Sequence, residues 1–386
     1  MGRDLLKNRP GLWWLLLALL GATAAAVIAW VLQDRPAREA PPAVPVQIQS
    51  DPWHVGEDVE LTLKSAAPRA GQVISLTLLA PGSDSPQIEG ISPDFFGLSG
   101  VQIPWLLPKY RGSEMALAAA AGARCVGLDF DWRRIESQRG QYAWQDTDEV
   151  VALAKRYRLR LVPMLLYTPH WASTAPFAPL NYQHAPPADY ADYRDFVYAV
   201  VNRYKPHGAS PLTADGYGIT DWVIWNEPNL RSAGAEPEPS GSWTGSLEEY
   251  VLLLQAGYEG AHAADPDCNV LNGGLADISW AESGLYLPSA MERFYDPDGD
   301  GDASDGARPF FDTLNIHTYQ VDTPEATWYE ERLEPLVNVM ERFGDGEKPI
   351  WVTETGYGSV TAPVAESPCV DEETQADAVA LVSQAV

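Results

Sequence analysis

Two glutamates in this 386-residue chain each follow a run of apolar residues. Glu227 lies in DWVIWNEPN (221–229), and Glu354 lies in PIWVTETGYGS (349–359). A carboxylate gains nothing from apolar packing, so we expect both side chains to point into an open site. Two converging carboxylates, one protonated to assist a leaving oxygen and one ionised to attack or to activate water, are the groups that glycoside hydrolysis needs.

Short apolar segments alternate with longer amphipathic segments over residues 91–386, and this order predicts parallel β/α architecture. Seven strands are predicted, at residues 95–100, 125–131, 160–166, 221–227, 268–275, 311–319 and 349–355. Units of this length predict a (β/α)8 TIM barrel, in which reactive groups lie at the carboxyl ends of the strands. Strands four and seven face each other across the barrel mouth, so Glu227 and Glu354 can converge there.

The strand count stops at seven and is followed by one helical segment, residues 371–386. The pattern therefore predicts a barrel truncated before its eighth strand. Strands one and seven would then expose unpaired edges, and we expect this form of the chain to have low stability and little activity.

The motifs WNEPN and WVTETGYGS resemble those of the retaining (β/α)8 glycosidases of clan A, in particular the β-xylosidase-like and cellulase-like families. The stretch that begins GARCVGLDFDWRRIE and the stretch FDTLNIHTY are also similar to that group, so the resemblance extends from about residue 95 to the end. It implies that Glu227 is the general acid/base and Glu354 the nucleophile. Net retention of anomeric configuration would follow.

The same resemblance implies roles for five other residues. Asn226 would bind the sugar 2-hydroxyl, Tyr319 would hold the nucleophile by a hydrogen bond, and His317 would line the same wall. Trp171 and His170 end the third strand, where aromatic faces commonly stack on sugar rings.

One feature departs from the related barrels, which often carry an arginine inside strand two near the nucleophile. Gly127 occupies the matching place here, and Arg124 lies at the start of the strand. Cys125 is expected to be a small buried hydrophobic residue. Four tryptophans within apolar runs are expected to pack in the barrel rather than bind sugar: Trp132, Trp222, Trp225 and Trp351.

An acidic segment, DPDGDGDASDG (296–306), resembles the first half of an EF-hand calcium loop. Alternating carboxylates and a glycine at the sixth place suit a hard cation, although Ala307 replaces the glutamate at the twelfth place. The candidate ligands of a structural calcium ion are Asp296, Asp298, Asp300 and Asp302. The alternative is a solvated acidic loop, and no cofactor is expected to be required for catalysis.

The amino-terminal region predicts export of the rest of the chain. Residues 1–10 are predicted to form a basic, cytoplasmic tail. Residues 11–32 are uncharged and are predicted to be a transmembrane anchor or a cleaved signal peptide. A proline-rich linker (33–45) and a small β-unit (46–90) follow. The catalytic domain would then be extracytoplasmic on the cell membrane, or secreted if the segment is cleaved.

Composition restricts the partners. The formal net charge of −27 repels phosphate backbones, so we do not expect nucleic acid as a partner. The predicted partner is carbohydrate, and the predicted activity is hydrolysis of β-linked oligo- or polysaccharide. The alternative is a catalytically silent surface protein that binds carbohydrate, because an incomplete barrel would not close its site.

Overall fold

The computed structural model describes residues 59–64, 73–78, 97–99, 103–106, 108–120, 122–178, 182–230, 242–277, 287–301, 306–319 and 328–356. The chain divides into two compact units, Met1–Ser85 and Pro86–Val386.

In the first unit, two strands pair antiparallel: β1 (Val59–Lys64) and β2 (Val73–Leu78). They lie within the predicted small β-unit (46–90), and the other residues of that unit up to Ser85 lie outside the described residues. The predicted basic tail, membrane segment and linker lie outside them as well. Among the described residues, no helix is both long enough and apolar enough to cross a bilayer.

In the second unit, the described residues form eight strands at seven positions of a parallel wall. They are β3 (Gly97–Ser99), β4 (Cys125–Asp131), β5 (Arg160–Leu166), β6 (Asp221–Ile224), β7 (Asn269–Asn272), β8 (Leu275–Ala276), β9 (Leu314–His317) and β10 (Ile350–Glu354). There are seven positions because β7 and β8 follow each other along one position between β6 and β9 and do not pair with each other. One sheet runs from β3 to β7 and a second from β8 to β10. A single parallel bridge between Leu271 and Thr313 links them. This consecutive parallel order is that of a β/α barrel wall.

Helices connect the strands. They are α1 (Pro108–Ala120), α2 (Trp132–Ile135), α3 (Gln145–Tyr157), α4 (Tyr190–Tyr204), α5 (Leu247–Ala264), α6 (Leu287–Tyr295) and α7 (Trp328–Arg342). The start of α5 is set by its sequence. Ser246 and Glu249 form a reciprocal capping box that satisfies two free N–H groups there. This helix buries its apolar face against β6, and Tyr250 donates its hydroxyl to the carbonyl of Ile224.

Several predicted strands were too long. The predicted strand 268–275 is two short strands, β7 and β8, because the chain breaks at Gly273 and Gly274. The predicted strand 221–227 ends at Ile224, because the backbone of Trp225 turns into the left-handed region with φ 73°. The predicted strands at 95–100 and 311–319 also shorten, to β3 and β9.

The tryptophans expected to pack in the barrel do so in three of four cases. Trp132, Trp222 and Trp225 are fully buried, whereas Trp351 is half-buried. Cys125, which was expected to be buried, is also only half-buried. Its sulfur lies so close to Gly97 that a Cβ on this glycine would come within 2.3 Å of Sγ.

Candidate active site

Glu227, His317 and Glu354 meet at the carboxyl ends of β6, β9 and β10. The Nδ1 atom of His317 lies 3.0 Å from Oε1 of Glu227 and 3.6 Å from Oε2 of Glu354. One side-chain atom from each of the three lies within 4.8 Å of the other two. Each carboxylate side chain is 18% exposed and the imidazole 1%. Two reachable carboxylates therefore share one buried imidazole.

Glu227 lies on a strained turn just after β6. Its φ is 43° and that of Trp225 is 73°, in a region that non-glycine residues enter at a cost of roughly 1–3 kcal/mol each. The surroundings hold the turn: the indole N–H of Trp225 donates to the carbonyl of Ser242 at 3.0 Å, and its ring packs edge-on against Trp243. Burial of the aromatic ring thus fixes the backbone that presents Glu227.

Asn229 secures the other end of this turn. Its Nδ2 donates to the carbonyl of Ala276 and its Oδ1 accepts from the N–H of Ala276, both at 2.8 Å. The buried side chain therefore pairs with β8 as a neighbouring strand would. The motif WNEPN folds as a turn anchored by an aromatic ring on one side of Glu227 and by an amide on the other.

Glu354 is presented by a β-bulge. In the β9–β10 ladder Val352 pairs with Ile316 and Glu354 pairs with His317, which leaves Thr353 as an extra residue. Regular alternation would place Thr353 and Glu354 on opposite faces of the sheet. A bulge re-aims side chains, and here both residues reach the same imidazole: Thr353 Oγ1 lies 3.1 Å from Nε2 of His317.

Gly274 makes room for His317. A Cβ on this glycine would lie 2.0 Å from Nε2 of the imidazole, far inside van der Waals contact. The break between β7 and β8 therefore lets the ring lie against bare backbone. No other residue type fits there while His317 keeps its place.

The hydroxyl of Tyr319 donates to Oε2 of Glu354 at 2.9 Å. Burial, with a further contribution from the negative charge of Glu354, raises the pKa of Tyr319, so the phenol remains a neutral donor. Arg124, just before β4, is exposed, and among the described residues its guanidinium donates to the carbonyl of Gly122. Within the described part of the chain, the ion-pair partner of Glu354 is His317.

The remaining predicted substrate contacts fall into two groups. Asn226 adjoins Glu227, and its buried Oδ1 has no hydrogen-bond partner among the described residues. Trp171 instead donates its indole N–H to the carbonyl of Glu136 at 2.8 Å, and His170 packs edge-on against Tyr182. Neither set of contacts includes Glu227 or Glu354, so the structure does not bring Trp171 and His170 into the carboxylate cluster.

The acidic loop places Asp296, Asp298 and Asp300 within 4.8 Å of one another, and Asp302 lies outside the described residues. Both oxygens of Asp296 already accept from backbone, from the N–H of Gly299 and of Gly301, each at 3.0 Å. These are the bonds of a self-capped turn. Calcium binding there stays a prediction.

Sequence reasoning missed the polar residues behind His317. Thr353 donates its hydroxyl to Oδ1 of Asn315 at 2.6 Å, and Asn315 in turn bonds to Asn272 on β7. Both asparagines are fully buried. A signal was present, since buried strands seldom carry asparagine without a hydrogen-bonding reason.

The fold is similar to that of known glycoside hydrolases. The family 39 glycoside hydrolase from the gut symbiont Bacteroides cellulosilyticus WH2 aligns with 85% of this chain and 60% of its own, at 16% identity and a TM-score of 0.51. The glucosidase from Croceicoccus marinus aligns with 70% of this chain, at 13% identity and a TM-score of 0.46. No family model and no curated relative matches the sequence.

The chain spans 60% of the length of the first of these enzymes and 52% of the second. The likeness in structure, at this level of identity, is one of fold. It confirms the (β/α)8 fold that the resemblance of the two glutamate motifs implied.

Proposed function

We propose that the protein is a retaining glycosidase that hydrolyses β-linked oligo- or polysaccharide, with Glu227 as general acid/base and Glu354 as nucleophile. The observation that carries the proposal is the approach of the two carboxylates to within 4.8 Å, at the carboxyl ends of β6 and β10. Retaining enzymes have carboxyl groups about 5–5.5 Å apart, whereas inverting enzymes leave about 6.5–9.5 Å for a water molecule. The short approach favours retention.

The surroundings of the two glutamates support the division of roles. Glu354 accepts a hydrogen bond from the neutral hydroxyl of Tyr319, and such a donor stabilises the ionised form that a nucleophile needs. Nδ1 of His317 lies closer to Glu227 than to Glu354, at 3.0 Å against 3.6 Å, so the imidazole is placed to share a proton with Glu227. In the first step, Glu354 attacks the anomeric carbon while Glu227 protonates the departing oxygen. In the second step, Glu227 takes a proton from water, which displaces Glu354 from the sugar.

Asn226 supplies the substrate contact nearest to these groups. Its free Oδ1 is buried beside Glu227, where an unpaired acceptor is costly until a ligand hydroxyl reaches it. A sugar hydroxyl is a donor of the right kind. We therefore expect Asn226 to strengthen binding in the transition state.

The test compares two variants on two substrates. Glu354→Gln should lower turnover by roughly 10⁴-fold or more on every aryl β-glycoside, because the covalent step is lost. Glu227→Ala should lower turnover by roughly 10²–10⁴-fold on a phenyl glycoside but spare a dinitrophenyl glycoside, whose leaving group needs no proton. NMR of the first product formed should show the substrate's anomeric configuration.

Glu334→Gln, on α7, is the control for removal of a glutamate charge. Equal losses on both substrates for Glu227→Ala, or an inverted first product, would contradict the assignment. Carbohydrate binding by the wild-type protein without turnover of any glycoside would instead favour the silent binding protein.

A further inference from the structure

The hydrogen bonds behind His317 have fixed directions, and they begin at a pair of asparagines. Asn315 Nδ2 lies 3.1 Å from the carbonyl of Asn272, and the backbone N–H of Asn315 donates to Oδ1 of Asn272 at 2.7 Å. Nδ2 of Asn272 donates in turn to the carbonyl of Asn315 at 2.9 Å. Rotating the Asn315 amide by half a turn would set an oxygen against the Asn272 carbonyl. The network therefore assigns the oxygen of Asn315 to the side that faces Thr353.

This orientation of the Asn315 amide determines the direction in which Thr353 donates its hydroxyl hydrogen. Oδ1 of Asn315 can only accept, so Thr353 must donate its single hydroxyl hydrogen there, at 2.6 Å. The oxygen of Thr353 is left as an acceptor for its other neighbour, Nε2 of His317, at 3.1 Å. Nε2 must therefore carry a hydrogen.

With Nε2 protonated, the other ring nitrogen faces the carboxylates. A neutral imidazole would then present a bare lone pair at Nδ1, 3.0 Å from Oε1 of Glu227. Two lone pairs do not bond, so a second proton must lie between Nδ1 and Glu227. With Glu354 ionised, the cluster holds one negative charge in total, whether that proton resides on the imidazole or on Glu227.

We propose that Thr353 and Asn315 are positioning residues that fix His317 as the Nε2–H form, so that its Nδ1 keeps one proton in place for Glu227. The inference rests on the proposed function for its catalytic meaning. When the leaving-group oxygen takes the proton from Glu227 and the glycosidic C–O bond breaks, the imidazole is left neutral with its hydrogen on Nε2. The water of the second step returns one proton to the Glu227–His317 pair.

The bulge in β10 explains why this arrangement needs Thr353. It places the donor to Asn315 and the nucleophile on adjacent residues, both of which contact the same ring. Among the described residues, the charged groups that face the imidazole are Glu227 and Glu354. Asp277, just after β8, accepts from the hydroxyl of Thr318 and lies 3.6 Å from Arg332, so its charge has partners of its own.

The direct test measures the protonation of His317 in the unmodified protein by long-range ¹H–¹⁵N NMR after labelling its six histidines. A His317→Gln variant assigns the signals. We expect a hydrogen on Nε2 and an Nδ1 that is either protonated or in a short hydrogen bond to Glu227. A neutral ring with its hydrogen on Nδ1 alone would overturn the proposal.

The second test replaces Thr353. Thr353→Val keeps the shape and removes the acceptor, and we expect kcat to fall by up to roughly 100-fold because the imidazole is no longer held in place, with a smaller change in KM and with altered His317 signals. Thr353→Ser keeps the hydroxyl and should restore both. Thr313→Val is the matched control, because Thr313 also bonds to an asparagine side chain, Asn269 at 2.8 Å, without touching His317.

The outcomes separate the two proposals. Unchanged His317 signals and kcat in Thr353→Val, or a loss no larger than in Thr313→Val, would contradict the role of Thr353. Absence of turnover in the wild-type protein would contradict the proposed function and leave the NMR result on His317 standing.

Discussion

The two carboxylates of the candidate active site are held by different kinds of structure. Glu227 lies on a strained turn that is fixed by the packing of Trp225 and by the strand-like bonds of Asn229. Glu354 lies on a bulge that is surrounded by polar side chains, and it bonds to Tyr319 and lies near His317. Packing fixes where a group stands, whereas a polar network also fixes where its protons are. The acid is thus placed by packing and receives its proton contact from His317, whereas the nucleophile is placed by the bulge and by polar contacts.

We call the hydrogen-bonded group of His317, Thr353 and Tyr319 the polar side of the site. Changes there should lower activity more than stability, and Gly274→Ala should have the largest effect. The added methyl carbon would lie 2.0 Å from Nε2 of His317, so the imidazole must move away from Thr353 and Glu227. We expect kcat/KM to fall roughly 10²–10⁴-fold, the range for loss of acid–base catalysis. Steady-state kinetics with a thermal melt measures both effects.

Gly127→Ala is the control for this variant, because its added carbon would meet nothing closer than the carbonyl of Val162 at 3.9 Å. It should retain most of the wild-type activity. Similar activities in Gly274→Ala and Gly127→Ala would mean that the position of His317 does not matter to turnover.

We call the turn of Glu227 and the aromatic rings around Trp225 the packing side of the site. Changes there should lower the free energy of unfolding more than activity, and Trp222 and Trp225 allow a matched comparison. Both are fully buried, but Trp225 donates its indole N–H to the carbonyl of Ser242, whereas the N–H of Trp222 has no partner in the part of the chain that the structure describes. Either change to Phe removes the same volume. We expect Trp225→Phe to lower the free energy of unfolding by about 1–3 kcal/mol more than Trp222→Phe, because only Trp225→Phe breaks a bond.

Urea unfolding of the two variants gives this difference, and kinetics shows whether activity follows it. Only Trp225→Phe should also lower kcat, since Trp225 is two residues from Glu227 in the turn. If Trp222→Phe is the more harmful change, then the hydrogen bond to Ser242 is not what holds the turn.

The sequence was informative about the parts of this site that depend on local pattern. Apolar runs that end in Glu227 and Glu354 predicted two strand ends, and the alternation of segments predicted parallel order. The position of His317 and Tyr319 came from the resemblance of FDTLNIHTY to a family. These elements are encoded by residues near one another in the chain.

The parts that were missed depend on partners distant in sequence. The bulge at Thr353 is a property of the register between β9 and β10, and the Asn272–Asn315 pair joins residues 43 positions apart. The split of the predicted fifth strand is explained by His317, which needs the space at Gly274. An asparagine in a buried strand signals a polar contact, but its partner lies in another segment of the chain, so a single segment could not identify the hydrogen bonds around Thr353.

The last and smallest effect concerns Tyr167, on the packing side. Its ring packs edge-on against Trp225 at 6.3 Å between centroids, and Arg133 lies over it. Burial is the larger cause and the negative charge of Asp129 the smaller cause of a raised pKa of Tyr167, which moves from 10.0 to about 12. The folded state therefore keeps the phenol neutral at a pH where the unfolded chain ionises it.

The sign of the resulting pH dependence follows from linkage. The stability that neutral Tyr167 contributes is fully present below pH 10, and it is lost as the pH rises from 10 through about 12. Phenylalanine cannot ionise, so Tyr167→Phe should lose less stability than the wild type as the pH rises from 10 to about 12, the window between the pKa of the unfolded chain and that of the folded state. Thermal melts across that window measure the slope.

Tyr198→Phe, at an exposed ring on α4, is the control and should keep the wild-type slope. Identical slopes in Tyr167→Phe and the wild type would show that the environment of Tyr167 does not favour its neutral form, and that the packing around Trp225 is more open to water than the structure indicates.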